Sequence, residues 1–179
     1  MPETISLRRY RDVDLTPERV NEIDAIFFES SNTKTFEDDA ARAAFRERWL
    51  GRYLVHDPNF AFLAQAADGK VVGYLVGAID DPAQAGRFGD ICYFAELAEQ
   101  KKRYPAHLHV NVSPAFRNQG IGGRLMDRFV TDAKAAGARG VHVVTSDGAA
   151  NIGFYNRNGF SEIARAGKGG RLVFLARSL

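Results

Sequence analysis

At 179 residues, with 45% hydrophobic and 26% charged side chains, the chain has the balance of a globular protein and the length of one domain over 1–179, enough to bury roughly two-thirds of its unfolded surface. A formal charge of +2, with no basic run longer than Lys101–Arg103, argues against a nucleic-acid partner. One cysteine, Cys92, excludes an intrachain disulfide and a cysteine-built metal site, and the lack of a signal-peptide core or an apolar run near eighteen residues points to a cytoplasmic protein without a membrane partner.

Ile5 to Tyr10 reads as a first strand, with Ile5 and Leu7 on one face. Thr16-Pro17-Glu18 is a helix start, a Thr cap followed by Pro in the first turn. That helix runs through Val20, Ile23, Ile26 and Phe27 and breaks at Ser30–Thr35. A second helix is expected from about Glu37 to near Leu54, with Ala40, Ala44, Phe45 and Trp49 on one stripe. Phe60–Gln65 and Val71–Ile79 read as a hairpin about Asp68-Gly69. Residues 80–105 form a long connection whose aromatics, Phe88, Tyr93, Phe94 and Tyr104, favour an ordered insert over an active site.

His107-Leu-His-Val-Asn-Val112 alternates as a strand, with Leu108, Val110 and Val112 on one face and His107, His109 and Asn111 on the other. Pro114 ends it, the glycines at 120, 122 and 123 make a tight turn, and Ile121, Leu125, Met126, Phe129, Val130 and Ala133 recur at helical spacing. A glycine-rich turn opening a helix is an anion site, because unpaired N–H groups and the positive helix end converge there. It is not a Walker loop, since Gly122-Gly123-Arg124 lacks the Lys and the hydroxyl, nor a dinucleotide fingerprint, since the third glycine is missing. The helix stops at Gly137–Gly140, and Val141–Thr145 is a buried strand. Ala149–Asn158 is a helix closed by Gly159, and Phe160–Ala164 and Arg171–Ala176 form a second hairpin. The element order predicts an α/β (α+β) protein: a mixed central sheet of about six or seven strands with helices on both faces.

Arg117-Asn-Gln-Gly120-Ile-Gly122 and Asn151-Ile-Gly-Phe-Tyr155-Asn-Arg-Asn-Gly159-Phe160, on these elements and at this spacing, resemble the two signatures of the GNAT N-acetyltransferase superfamily over almost the whole chain. The His-Leu-His run before the loop is similar to arylalkylamine N-acetyltransferases, and Tyr104–His109 to bacterial relatives of the acetyltransferase-like domain of O-GlcNAcase. The resemblance implies an acyl-CoA N-acyltransferase fold and an enzyme that moves an acetyl group from acetyl-CoA to a primary amine by direct attack in a ternary complex, without a metal. The alternative, suggested by the O-GlcNAcase relatives, is a non-catalytic acyl-CoA-binding or sensing module. The acceptor, a small molecule or a protein lysine, stays open, as does a homodimer.

By the same resemblance, backbone amides of Asn118, Gln119, Gly120, Ile121, Gly122 and Gly123 hold the pyrophosphate, where a Cβ at the glycines would keep phosphate away from them. Arg117 and Arg124 add charge, or are ordinary solvated arginines. The backbone of Val110 and Val112 is expected to bond the pantetheine arm. Asn151 stands near the position of a family asparagine, whose own place is taken here by Gly148. A lysine-like amine, with a pKa near 10.4, needs a base. His107 and His109, two apart on one strand, are the expected proton carriers. Tyr155 matches the family's general acid for the departing thiolate. In the insert, Asp80, Asp81, Asp90, Glu96 and Glu99 offer attraction to a cationic amine, or are simply solvated, and Tyr93 and Phe94 suit an arylalkyl group.

Overall fold

Seven strands line up in one mixed sheet in the order β1-β2-β3-β4-β5-β7-β6 in the computed structural model, which describes residues 4–179. Residues 1–3, the start of the expected domain, lie outside it. By its internal contacts the chain divides into two compact units, one running to Gly77 and including His109–Phe129, the other made of Ala78–Leu108 and Val130–Leu179.

In the first unit β1 (Ser6–Arg9) pairs antiparallel with β2 (Ala61–Gln65), and β2 pairs antiparallel with β3 (Val71–Ala78). The hairpin turns at Gly69, whose φ of 89° suits glycine. Helix α1 (Pro17–Ser30) starts as the sequence predicts: the Thr16 hydroxyl accepts from the Arg19 N–H and Pro17 occupies the first turn. The expected second helix is broken into three pieces. Helix α2 (Asp39–Arg46) has no buried residue, a five-residue π turn follows over Glu47–Gly51, and α3 (Arg52–His56) then buries Arg52, Tyr53 and Leu54. The predicted stripe is therefore carried at its C-terminal end, where the π turn redirects it, because Ala40 and Ala44 are exposed. A widened turn of this kind inside a helix commonly marks a functional position.

Strand β4 (Ala106–Val112) crosses the division. In the second unit its parallel ladder to β5 (Gly140–Ser146) is registered at Ala106↔Val141 and His107↔His142. In the first unit its end lies close against β3: the Ser113 N–H donates to the Val72 carbonyl at 2.9 Å and Asn111 Nδ2 to Tyr74 Oη at 2.7 Å. A Cβ on Gly73 would come within 3.2 Å of the Asn111 carbonyl oxygen. That glycine lets the strand leading to the loop lie so near its neighbour.

The insert is ordered and built into the second unit's core. Two short helices, α4 (Tyr93–Glu96) and α5 (Ala98–Arg103), bury Phe94, Leu97, Lys101 and, just beyond, Tyr104. Leu97 and Tyr104 join Phe174 and Ala176 of β7 (Leu172–Ser178) in one apolar cluster. Helix α6 (Ile121–Ala135) follows the glycine loop and ends at Gly137, φ 88°, with the Ala138 N–H reaching back to the Ala133 carbonyl. Helix α7 (Ile152–Arg157) precedes β6 (Ser161–Ala166), which pairs antiparallel with β7, itself antiparallel to β5. No helix among the described residues is long and apolar enough to cross a membrane.

Candidate active site

The loop and the end of the strand feeding it, from His109 onward, belong to the first unit. Arg117 does not reach out freely: its Nε donates to the Val112 carbonyl at 3.0 Å and a terminal nitrogen to Ser30 Oγ at 3.5 Å, closing the loop onto the strand end. Asn118 (φ 62°) and Gly120 (φ 76°) both take left-handed backbone, which turns the chain sharply before α6. The first helical hydrogen bond runs from the Arg124 N–H to the Gly120 carbonyl. The N–H groups of Ile121, Gly122 and Gly123 precede it and have no protein acceptor among the described residues. A Cβ on Gly120 would meet nothing within 4 Å, so the space outside the turn is open. Gln119 Nε2 turns back to the Ala115 carbonyl, and Arg124 donates to the Ile5 carbonyl at 2.9 Å, tying α6 to the start of β1. Open N–H groups, a positive helix end and open space fit a phosphate-bearing ligand. Both arginines are engaged first on carbonyls outside the loop, Arg117 on Val112 at the end of β4 and Arg124 on Ile5 ahead of β1.

Val110 and Val112 lie on the part of β4 that is only partly buried, whereas its first three residues are fully buried. His109, between them and the core, meets two aromatics. Tyr53 Oη stands 3.4 Å from its Nε2, and the Tyr53 and Trp49 rings approach edge-on, with centroids at 5.4 and 5.6 Å. Burial lowers the His109 pKa to about 4, with no charged neighbour contributing, so the imidazole is neutral at physiological pH. Trp49 and Tyr53, four residues apart, were read from the sequence as part of a core stripe or not at all. Their four-residue spacing within the helix expected to end near Leu54 was the available signal.

His107 has different surroundings, although it lies two residues away on the same strand. In the second unit it is 3% exposed and stacks on His142 with centroids 5.5 Å apart and planes at 25°. Phe88 and Phe94 meet it edge-on at 4.7 and 5.7 Å, and its Nδ1 lies 3.4 Å from the Pro105 carbonyl oxygen. The parallel register His107↔His142 brings the two imidazoles together. His142 in turn stacks on Phe174 at 4.7 Å. No local sequence pattern announces that pairing.

Tyr155 is 6% exposed on α7, edge-on to Phe154 and Phe160 at 5.3 and 5.6 Å. Its hydroxyl has no hydrogen-bond partner among the described residues, and burial pushes its pKa up, so the phenol keeps its proton at neutral pH. Asn151 precedes α7 and is exposed, and its Oδ1 accepts from Thr145 Oγ1 at 2.9 Å. The Tyr155 N–H donates to the Asn151 carbonyl, which fixes the first turn under Tyr155. The insert's carboxylates are largely engaged within their own unit. Asp80 pairs with Arg87 at 3.0 Å, Glu99 with Lys102 at 2.7 Å, Asp81 accepts from the Ala83 N–H, and Glu96 accepts from the Gly167 N–H. Among the described residues no group of three His, Cys, Asp or Glu side chains is placed to hold a metal ion.

A seven-stranded mixed sheet with helices, and a glycine turn with open amides after its fourth strand, is the arrangement of the GNAT acetyltransferase fold. Comparison with known proteins agrees. The sequence profile of the Acetyltransferase (GNAT) family matches residues 18–160, and the chain belongs to that family. An uncharacterised N-acetyltransferase of Methanocaldococcus jannaschii, MJ1207, is 30% identical over 119 residues, which take in 64% of this chain but only 45% of that protein's length. Among solved structures, SsHAT is 25% identical with a TM-score of 0.71 over 98% of both chains. The PaiA N-acetyltransferase of Thermoplasma acidophilum, solved in complex with coenzyme A, is 14% identical with a TM-score of 0.63 over 98% of this chain and 99% of its own.

Proposed function

We propose that the protein is an acetyl-CoA-dependent N-acetyltransferase that transfers to a primary amine, a small molecule or a protein lysine, by direct attack in a ternary complex. The observation that carries the reading is the turn at Asn118–Gly123: left-handed backbone at Asn118 and Gly120 presents the N–H groups of Ile121, Gly122 and Gly123 without a protein acceptor. Family membership, and the coenzyme A bound by the PaiA relative, support the same ligand for this turn. The partly buried backbone of Val110 and Val112 suits the pantetheine amides. Acetyl-CoA supplies the activated acetyl group and leaves as a thiol.

His109 takes the role of proton acceptor. It is already neutral at pH 7, so its lone pair is available without prior deprotonation. The low pKa has a cost: full transfer from a lysine-type ammonium of pKa near 10.4 to a group at about 4 is uphill by about 9 kcal/mol. His109 is therefore not the group that strips the ammonium: the amine attacks in its neutral form, and His109 takes the proton that this nitrogen sheds as its lone pair bonds the thioester carbonyl carbon and it turns acidic. His107, packed between His142 and two phenylalanines, acts by fixing β4 in register. Tyr155, protonated and without a competing partner, is the proton donor to the departing sulfur. Asn151 holds the first turn of α7 beneath it.

The lowered basicity of His109 and the burial of His107 favour one other reading, a module that binds acyl-CoA without transfer. Calorimetric titration with acetyl-CoA, run beside an acetyl-transfer assay on wild type, Tyr155→Phe and His109→Gln, separates the two. Binding with transfer that both substitutions depress supports the enzyme; transfer untouched by both removes the assigned roles.

A further inference from the structure

The π turn at Glu47–Gly51 and the start of α3 bring Trp49 and Tyr53 onto the same imidazole. Tyr53 is 0% exposed, whereas His109 is only partly buried, so Tyr53 lies on the inner side of the ring. A neutral imidazole has one N–H and one lone pair. Nε2 is the nitrogen at 3.4 Å from Tyr53 Oη, and Nδ1 has no protein partner among the described residues. If the tyrosine donated to Nε2, Nδ1 would carry the hydrogen, and neither nitrogen could take a proton from an amine. Reversed, Nε2–H donates to the phenol oxygen and the lone pair sits on Nδ1.

We propose that Tyr53 is a positioning residue for the transfer: its phenol oxygen accepts from His109 Nε2–H, holds the imidazole in the Nε2–H tautomer, and leaves Nδ1 as the nitrogen that receives the amine's proton. Trp49, edge-on at 5.6 Å, fixes the ring plane. As the proton arrives on Nδ1, the Nε2–H···Oη bond becomes charge-assisted and strengthens, so the support grows as the reaction proceeds. The bond is long for a resting contact, as catalytic hydrogen bonds often are before the reactants bind. The inference rests on the reading of His109 as proton acceptor.

Histidine-selective ¹⁵N labelling and long-range ¹H–¹⁵N spectra at pH 7 read the tautomer directly, with His109→Gln identifying which of the four histidine ring systems is His109. Wild type is expected to show Nε2 protonated and Nδ1 bare, and Tyr53→Phe to lose that preference. In kinetics Tyr53→Phe should lower kcat about 3–10-fold, the rate equivalent of one hydrogen bond. It should leave the KM for acetyl-CoA in place and move the acidic limb of kcat/KM to lower pH, because the imidazolium has lost its acceptor. An Nδ1–H tautomer for His109 in wild type overturns the proposal, as does a tautomer and rate unchanged by Tyr53→Phe. Transfer undiminished in His109→Gln would instead overturn the underlying base assignment, and the wild-type spectrum would still decide which way the bond runs.

Discussion

Replacing His109 with glutamine should flatten the acid side of the protein's stability curve. In the folded chain His109 has its pKa lowered from 6.5 to about 4 by burial. Above pH 6.5 neither the folded nor the unfolded state binds a proton there. Between 6.5 and 4 the unfolded chain takes up a proton that the folded chain refuses, so stability falls as pH drops, by up to about 1.4 kcal/mol per unit. Below about 4 both states are protonated and the loss is complete. Integrated from pH 7.5 to 4.5, this single site removes about 2.5 kcal/mol, somewhat less to the extent that solvent reaches the partly exposed ring. For a chain of this length that is a drop of about 5–10 °C in Tm. Urea denaturation of wild type and His109→Gln across this range isolates the effect, because every other titrating group is common to both. The wild-type curve should fall below its own pH 7.5 value by about 2 kcal/mol more than the variant's. Parallel curves would show that the folded imidazole titrates like a free one, and that it is not desolvated between Trp49 and Tyr53.

Other substitutions test the remaining parts. Gly120→Ala forces a side chain into left-handed backbone at φ 76°; it should cost about 1–2 kcal/mol of stability and weaken acetyl-CoA binding measured by calorimetry. Tyr155→Phe should lower kcat by about 10²-fold or more while leaving acetyl-CoA affinity near wild type; a KM effect alone would make Tyr155 a packing residue. Lys101 is 0% exposed, its Nζ has no hydrogen-bond partner among the described residues and lies 4.8 Å over the Phe94 ring, and burial lowers its pKa. Lys101→Met, of similar length, should therefore be neutral or stabilising by about 1–3 kcal/mol in urea denaturation, and a clear loss would show that the cation–π contact outweighs the desolvation.

Much of the architecture was legible because it is locally encoded. The Thr16 cap, the Gly69 hairpin, the glycine turn before α6 and the Gly137 helix stop each follow from residue types that few other conformations suit. The insert was harder. Helices of four and six residues are too short to hold by propensity, and they exist because Phe94, Leu97 and Lys101 are buried in tertiary packing. In the candidate site, what the sequence made legible was local: the glycine turn at 118–123 and the placing of Tyr155 on the last helix. The surroundings of the two histidines were not legible, since alternation puts His107 and His109 on one strand face but cannot show that His142 and Phe88 enclose one and Tyr53 meets the other. Arg117 and Arg124 read either as charge for a phosphate or as solvated arginines, and neither reading foresees their bonds to the carbonyls of Val112 and Ile5, the latter 119 residues away in sequence. Only the folded chain brings such partners together.

The most direct test of the central claim is a mass-detected amine screen, in which the protein and acetyl-CoA meet small amines, polyamines and lysine peptides and the acetylated product is counted against thiol released. The account predicts at least one amine acetylated in step with thiol release, with the product greatly reduced in Tyr155→Phe and His109→Gln. Saturable acetyl-CoA binding with no acetylated amine above the protein-free background would contradict it.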